Sequence, residues 1–581
     1  MAALMKGKNR QQDPGDPLAA EVGTIRKIGP HRLRVVLVYP NRYAVGMSNL
    51  GFQVVYSLLN GLEGVACERA FLPDEPAPAG MRLTSVETGR PLADFDIIAF
   101  SVSFENDYPN ILEVLAAAGL PLPSRERKDA HPLVMAGGVA CLLNPEPLAP
   151  FIDCFLIGEA EAMLADFIDC LLENGFAEKR NRLNLLAACA RQVPGVYVPQ
   201  FYRPVYGDTG ALAAIEVLAD VPAEIKRPYL NDLSRSPACS TVVTPHTTFE
   251  STFLVEVGRG CPHGCRFCSA GFNYRPPRFR PPELLQACLR QGAALTDRIG
   301  LVGAAVSDLP GLKELCRQAQ ADNVRVSFSS LRADALDEDL VAALAGSRVK
   351  TATIAPEAGS ERMRRVINKG IDEEAVLRAA ALLVDGGIPN LKLYFMIGLP
   401  TETADDIEAI VGLCKRIKHV FLSHSRGRKR IGEITVGLSC FVPKPATPFQ
   451  WAAMDDMAGL KEKIRTVKQG LRKVPNVRVH ADVPRWAYIQ ALLSRGDRRV
   501  AGLLELAHAH RQNWPQSLKE TPLNADFYVL RPRPVDEVLP WDFIDHGVKK
   551  SFLIREYRRA LDGRPTPACP MDDCRRCGIC R

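Results

Sequence analysis

Three cysteines, Cys261, Cys265 and Cys268, share the short loop Gly258-Arg-Gly-Cys-Pro-His-Gly-Cys-Arg-Phe-Cys268, directly after an apolar run. With 17 cysteines in 581 residues, a C-x3-C-x2-C pattern arises by chance on the order of 0.01 times. Three thiolates on one loop can ligate three irons of a four-iron cluster, and the missing fourth cysteine leaves one iron open for a substrate. An electron-transfer cluster would be closed. The competing reading is a zinc site completed by His263 or by a remote cysteine. A second group, Cys569, Cys574, Cys577 and Cys580, places four cysteines within twelve positions as C-x4-C-x2-C-x2-C. A metal is expected there too, with zinc and an iron–sulfur cluster standing as equals.

Reading cysteines as ligands requires a reducing compartment, and composition supports one. Apolar residues make up 47% and charged residues 24%, the values of an ordinary globular chain. No run approaches about 18 apolar residues, and Met1 to Pro17 lacks the apolar stretch of a signal peptide, so a cytoplasmic protein without membrane segments is expected. The net charge of +7, from 73 Lys and Arg against 66 Asp and Glu, is mild and calls for no anionic partner. The basic run Lys415 to Arg430 lacks interleaved aromatics beyond Phe421 and reads as a solvated loop, so nucleic acid is possible but not indicated. The length implies three to four domains.

The elements that must position these cysteines alternate. After a polar tail (1–20), apolar runs at 34–40, 96–104, 132–138 and 154–162 alternate with helical stretches at 48–64 and 107–119. Buried strands separated by helices predict a doubly wound parallel sheet over 21–199, with ligands beyond the carboxyl ends of the strands. A segment rich in Pro, Thr and Asp (200–250) reads as a linker with two short strands. Six further strands are expected at 252–257, 299–306, 324–330, 350–355, 391–397 and 433–440, giving a partial (β/α)6 barrel over 251–452 whose chemistry lies at its C-terminal strand ends. Residues 453–568 read as a helical extension with a short strand near 477–483, and 569–581 as the cysteine-rich tail. The fold class is α/β.

The loop spacing, the aromatic Phe267 before the last cysteine and the six-unit barrel together resemble the radical S-adenosylmethionine superfamily. The resemblance implies that Cys261, Cys265 and Cys268 hold a [4Fe-4S] cluster whose open iron chelates S-adenosylmethionine, and that reductive cleavage yields a 5′-deoxyadenosyl radical. It further implies that strand ends line the S-adenosylmethionine pocket. This sequence offers Ser329, Ser330 and Arg332 after the third strand, Glu357 with Gly359 and Ser360 after the fourth, Arg362 just beyond, and Gly398 after the fifth. The second strand departs from the family pattern, ending Gly303-Ala-Ala-Val-Ser-Asp308 where Gly-Gly-Glu is often seen. A reductant of the flavodoxin or ferredoxin class is the expected partner.

The order Tyr39-Pro40-Asn41, Ser101-Val-Ser103, Gly137-Gly138, Gly158-Glu159-Ala-Glu161 resembles the cobalamin-binding domain that precedes many such barrels. The resemblance implies a corrinoid against Ser101, Ser103, Gly137, Gly138, Gly158 and Glu159, and hence methyl transfer from cobalamin to a substrate radical. No Asp-x-His-x-x-Gly follows the first strand, so bound cobalamin is expected to be His-off. The string Phe441 to Trp451, Trp541 to Gly547 and the terminal cysteines resemble one cobalamin-type branch, some of whose members carry a further domain, implying a separate partner protein. Two alternatives stand beside the methylation reading. Gly398-Leu-Pro-Thr-Glu-Thr403 and Pro445-Ala-Thr-Pro448 also resemble transfer-RNA methylthiotransferases, although Cys67, Cys141, Cys154 and Cys170 are isolated rather than grouped for a second cluster. The other is a non-catalytic iron–sulfur scaffold or redox sensor. The sequence does not reveal the substrate.

Overall fold

The computed structural model describes residues 17–75, 80, 82–176, 181–328, 331–425, 432–571 and 574–580. Six strands form the first sheet: β1 (Leu33–Arg42), β2 (Val65–Leu72), β3 (Ile97–Ser101), β4 (Leu133–Gly137), β5 (Cys154–Leu156) and β6 (Val196–Tyr197). Their order is β2-β1-β3-β4-β5-β6, parallel except for β6. The order reverses between β1 and β3, and such a switch point opens a crevice at the carboxyl ends of the two strands. Asn49 starts the crossover helix Leu50–Gly61 by accepting from the Phe52 amide. Strand β2 was not expected, because Glu68 and Arg69 interrupt its apolar run. Arg69 is nonetheless buried in the sheet, where Glu21 (2.7 Å) and Glu87 (2.6 Å) neutralise it.

The segment expected as a linker with two short strands contains two such strands. β7 (Tyr202–Tyr206) and β8 (Leu212–Val217) pair as an antiparallel hairpin. β9 (Ile225–Lys226) pairs in parallel with the remote Ile544–Asp545.

The second unit places β10 (Phe253–Glu256) beside β13 (Arg298–Val302) and β14 (Arg325–Phe328) in a parallel sheet. The cluster loop is pinched at its base by β11 (Gly258–Arg259) and β12 (Arg278–Phe279), which pair antiparallel. A second parallel sheet runs β15 (Thr351–Glu357), β16 (Asn390–Ile397), β17 (Ile434–Cys440), β18 (Val477–Ala481). One parallel bridge, Leu331 to Ile354, joins the two sheets into a single arc. Strand β18, which the sequence reading assigned to the helical extension, therefore continues the barrel sheet past residue 452. The strand Ile544–Asp545 is β19. Helices Pro282–Ala293, Leu312–Ala321, Glu338–Gly346, Glu373–Asp385 and Ala404–His424 alternate with the strands. Glu373–Asp385 buries Val376, Ala379, Ala380 and Leu383 and is capped by Asp372. Of the basic run, Lys415 to Ser425 lie at the end of helix Ala404–His424 or cap it, and 426–430 fall outside the described residues. No described helix is long and apolar enough to cross a membrane.

Candidate functional site

Strand β10 delivers the three cysteines to the C-terminal end of the barrel arc, where the parallel strands leave their ends open. Cys265 is buried, and Cys261 and Cys268 are half-buried. The loop turns on itself through Cys268 N to Cys265 O (3.0 Å) and Gly271 N to Cys268 O (3.3 Å). Arg266 anchors it from beneath. Its amide donates to Ile367 O at 2.9 Å. Its guanidinium, with no exposed surface, donates to the carbonyls of Arg365 (3.1 Å), Val366 (2.9 Å) and Arg564 (2.7 Å) and pairs with Glu556 at 3.1 Å. Asn368 adds bonds to Gly264 O and Thr566 O, both 3.1 Å. Phe267 packs on a separate apolar cluster that includes Met363, Ile367, Leu399, Phe441 and Phe449.

The electrostatics suit a thiolate cluster. Burial pushes the Cys261 thiol up to about 12, with the neighbouring Cys265, Cys268 and Asp308 adding to the rise. Burial also raises Cys265 and Cys268, and the Lys369 ammonium opposes the rise at both. Lys369 is almost fully buried. Burial works against its charge, yet Glu357 and then Cys265 outweigh it and hold its pKa above the ordinary lysine value. Lys369 bonds Glu357 at 3.2 Å, and Arg332 donates to Lys369 O at 3.3 Å and faces Cys265. Lys369 thus stands beside Cys265 and Cys268, with Arg332, itself held by Asp334 at 2.8 Å, near Cys265, and the three thiols ionise readily only when a metal compensates them, which is the donor set a cluster with one thiolate per iron corner requires. Among the described residues, no three His, Cys, Asp or Glu side chains converge to hold a single metal ion.

Two residues at this site were missed in the sequence. Asp308, after β13, bonds His263 of the cluster loop at 2.8 Å through one oxygen, while its other oxygen is buried without a partner among the described residues. It stands at the strand end where the family's usual acidic motif is absent. Lys369 carried only a weak signal, lying between Asn368 (φ 54°) and Gly370 (φ 68°) in a tight turn.

The expected pocket residues divide. Glu357 ends β15 beyond a register shift, in a left-handed conformation (φ 64°) that costs a non-glycine residue energy and is characteristic of functional sites. Ser329 and Ser330 lie outside the described residues. Arg362, expected among the pocket residues, has its guanidinium taken by Asp406 and by Thr401 O (2.7 Å) at the start of the next helix, as Arg332 has by Asp334 (2.8 Å). Gly398 is left-handed (φ 80°), its amide bonds Glu402 at 2.7 Å, and a Cβ there would approach Leu460 to 2.8 Å.

In the first domain, Ser101 pairs with Gly137 at the ends of β3 and β4, and Ser103 accepts from Asn49 at 3.0 Å. Gly138 (φ 104°) is exposed beside them, close against Val102. Asn41 donates to Asp107 at 2.8 Å across the switch point. Burial first and then Asp107 raise the Tyr39 pKa, against the opposing hydrogen bonds of the Ser103 hydroxyl and the Asn49 amide. Gly158 and Glu159 do not join this edge. A Cβ on Gly158 would meet Pro228 at 2.7 Å. The Glu159 carboxylate is buried among Arg278 (2.7 Å), Arg259 (2.9 Å) and the Leu230 amide (3.1 Å) at the junction with the barrel. That ionic cluster, not a corrin amide, accounts for the motif.

The terminal cysteines come together against the cluster loop. Burial first, then Cys577, Cys569 and Cys574, raise the Cys580 thiol. The Cys569 amide donates to Pro262 O at 2.8 Å, one residue from Cys261.

The site is thus a parallel-stranded arc with three cysteines on the loop after its first strand. By comparison with known families, residues 255–414 match the family model "Radical SAM superfamily" and residues 51–199 match "Radical SAM proteins, N-terminal". The chain thus carries radical S-adenosylmethionine superfamily domains, and that family implies an enzyme with an iron–sulfur cluster and S-adenosylmethionine. An uncharacterized protein of Methanocaldococcus jannaschii is 29% identical over 523 residues, 90% of this chain and 98% of that one. A tRNA-2-methylthio-N(6)-dimethylallyladenosine synthase of Sorangium cellulosum is 29% identical over 195 residues, 29% of this chain and 39% of that one. Among solved structures, the cobalamin-dependent S-adenosylmethionine radical enzyme OxsB, with aqua-cobalamin and S-adenosylmethionine bound, matches at 16% identity and a TM-score of 0.40. The match covers 66% of this chain, which spans about half the length of that structure (51%).

Proposed function

We propose that the chain cleaves S-adenosylmethionine reductively at a four-iron cluster held by Cys261, Cys265 and Cys268, and uses the resulting 5′-deoxyadenosyl radical for cobalamin-assisted methylation of an unactivated carbon. Bound at this loop, the cluster supplies an open iron and one electron for breaking the sulfonium C–S bond. The observation that carries the cleavage reading is the convergence of three thiols, Lys369, Arg332 and the partnerless oxygen of Asp308 at one end of the arc. Lys369 and Arg332 offset the negative charge of the thiolates. Asp308 accepts the ammonium of the methionine moiety through its free oxygen, and His263 fixes the carboxylate from the cluster-loop side. Glu357, held by Lys369, is positioned for ribose or ammonium contact.

The corrinoid half rests on the facing of the two sheet ends. Glu105, beside the β1/β3 switch point, is buried in a pair with Lys444, which follows β17 at the barrel mouth, and it accepts from Gln490 at 3.0 Å. The edge of the first sheet and the mouth of the arc thus address one another. Along that edge, Ser101, Ser103, Gly137, Gly138 and the exposed ring of Phe104 suit a flat, amide-rimmed ligand. The histidines of the first domain bond elsewhere, His31 to Lys27 O and His131 to the Lys128 amide, which supports a His-off corrinoid. The methylthiotransferase alternative needs three cysteines open to a second cluster, whereas Cys67, Cys141 and Cys154 sit in the core of the first domain with thiols raised by burial, and Cys170 is buried against Cys189.

Anaerobic reconstitution with iron, sulfide and hydroxocobalamin tests both halves. Expected are 5′-deoxyadenosine from the native chain, none from Cys265→Ala, and about one corrinoid per chain. Absence of the nucleoside with a full cluster refutes the cleavage reading in favour of a scaffold, and absence of corrinoid at saturation removes the methylation half alone.

A further inference from the structure

The cysteine tail is a built structure rather than a trailing end. It folds over the start of helix Lys550–Leu561: Lys549 N donates to Cys577 O at 2.9 Å, Arg555 to Arg576 O at 3.2 Å, and Ile579 lies beside Gly547. Cys574 and Cys577 are buried, Cys569 and Cys580 are half-buried, and all four are free of disulfides. A crevice lined by Gly264, Phe272, Arg275, Phe552, Cys569 and Cys574 lies between the tail and the cluster loop. The Arg266 and Asn368 bonds to Arg564 and Thr566 fasten the tail to the same loop.

We propose that Cys569, Cys574, Cys577 and Cys580 hold a second, fully ligated [4Fe-4S] cluster that relays electrons to the cluster on the barrel loop. Spacing chooses iron–sulfur over zinc. Cys574-x2-Cys577-x2-Cys580 is the C-x2-C-x2-C run whose three thiolates take three corners of one cube, with a fourth cysteine from outside the run completing it. Zinc knuckles instead pair two such ligands with two more from a separate segment. With four thiolates and no open iron, this site has no corner for a substrate, which suits it to electron transfer. Ligation assigns the direction: the closed tail site has no corner for a substrate, so its electron goes to the barrel loop, whose open iron receives the sulfonium. The two sites adjoin, since the Cys569 amide donates to Pro262 O at 2.8 Å and Arg266 of the cluster loop donates to Arg564 O at 2.7 Å. In each transfer one electron leaves a reduced protein of the flavodoxin or ferredoxin class and takes the tail cluster from the 2+ to the 1+ state. That electron then passes to the barrel cluster, returning the tail to 2+, and goes on to break the sulfonium C–S bond, releasing methionine.

The relay role rests on the cluster reading of the preceding section; occupancy of the tail does not, and the test separates the two. Full-length chain is reconstituted anaerobically as the native protein, as Cys574→Ser/Cys577→Ser, and as Cys261→Ala/Cys265→Ala/Cys268→Ala. Iron, sulfide and zinc are measured and the reduced samples examined by electron paramagnetic resonance. The expected iron content is about eight per native chain and about four in each variant, with a reducible cluster surviving in the triple variant. One zinc and no iron in the triple variant, or neither metal, overturns the proposal. Loss of iron from the tail variant alone, with the triple variant still holding four, upholds the tail site and bears against the barrel reading instead. For the relay, the tail variant is expected to slow reduction of the barrel cluster by reduced flavodoxin at least tenfold while leaving reduction by dithionite unchanged. Equal rates with flavodoxin overturn that role.

Discussion

Replacing Arg266 by Met tests whether the cluster loop and the tail are one mechanical unit. The native guanidinium is wholly buried, pairs with Glu556 at 3.1 Å and donates to three carbonyls from two separate segments. Methionine keeps roughly the volume of the stem but removes the charge, leaving Glu556 buried with only the Thr566 hydroxyl (2.8 Å) as partner. Breaking a buried pair from one side costs about 3–5 kcal/mol. The carbonyls left without donors add to this, though not additively. Even about 3 kcal/mol multiplies the population of an opened loop more than about 100-fold. The substitution is therefore expected to act locally, lowering iron occupancy after reconstitution and stripping hydrogen-exchange protection from residues 564–569, while amides in β1 and β3 keep theirs. Lysine should rescue little, because a single ammonium cannot span the three carbonyls and Glu556 together. Native iron content with unchanged exchange at 564–569 would refute the reasoning.

Asp107 gives a pH prediction. Burial is the main reason its pKa rises from 3.8 to about 7, with Glu105 adding and Asn41 opposing. The folded chain therefore keeps a proton that the unfolded chain releases, so this group's contribution is complete below pH 3.8 and is lost as pH rises through about 7. Asp107→Asn, which can still accept from Asn41, should gain stability over the native chain progressively across that window, up to about 4 kcal/mol. A difference in urea midpoint that is flat between pH 5 and 8 would contradict it. Glu159→Ala strands Arg278, while Arg259 keeps Glu161 and Glu256, and should cost on the order of 3–5 kcal/mol whether or not corrinoid is present. Thermal melts with and without cobalamin check this, and a loss seen only with the cofactor would return Glu159 to the corrin. Lys369→Met removes the cation facing Cys265 and Cys268 and should move the barrel cluster's reduction potential to more negative values in a redox titration. An unchanged potential would place the ammonium outside the cluster's field.

Sequence showed what is local and hid what is assembled. The cysteine loop was legible because its chemistry lies in eight consecutive positions, and the arc strands because buried parallel strands are continuous apolar runs. Strand β2 was not, because the partners that make Arg69 acceptable there, Glu21 and Glu87, lie 48 and 18 residues away. Asp308 and Lys369 share this difficulty: neither belongs to a spaced motif, and only the closing of the arc brings them to the thiols. Gly158-Glu159 failed in the opposite direction. A glycine at a strand end has the same signature whether a ligand or another stretch of backbone presses on it, and here Pro228 does the pressing. Strand β18 was seen as a strand, but its attachment to β17 was not legible, since register along an arc is decided by neighbours.

The ionic junction between the two sheets explains how they come to face one another. Glu159 and Glu161 from the first domain meet Arg259 from the base of the cluster loop, and Glu159 also takes Arg278 from β12, the strand paired with that base. Arg259 is shared with Glu256 at 3.0 Å, and Glu256 in turn holds Arg280, all largely buried. Glu159, Glu161 and Arg278 find their ionic partners only when the domains are docked; undocked, Arg259 and Arg280 keep Glu256 while Arg278 loses its carboxylate. Buried charge of this kind adds little net stability but penalises misalignment heavily. The first domain is therefore locked in orientation by the same two short strands, β11 and β12, that pinch the cysteine loop. A displacement at the junction reaches the thiols through Arg259, with only Gly260 between it and Cys261. The geometry that aims the switch-point edge at the barrel mouth and the geometry that holds the three cysteines are in consequence one structure, and neither domain can be expected to present its half of the site when expressed without the other.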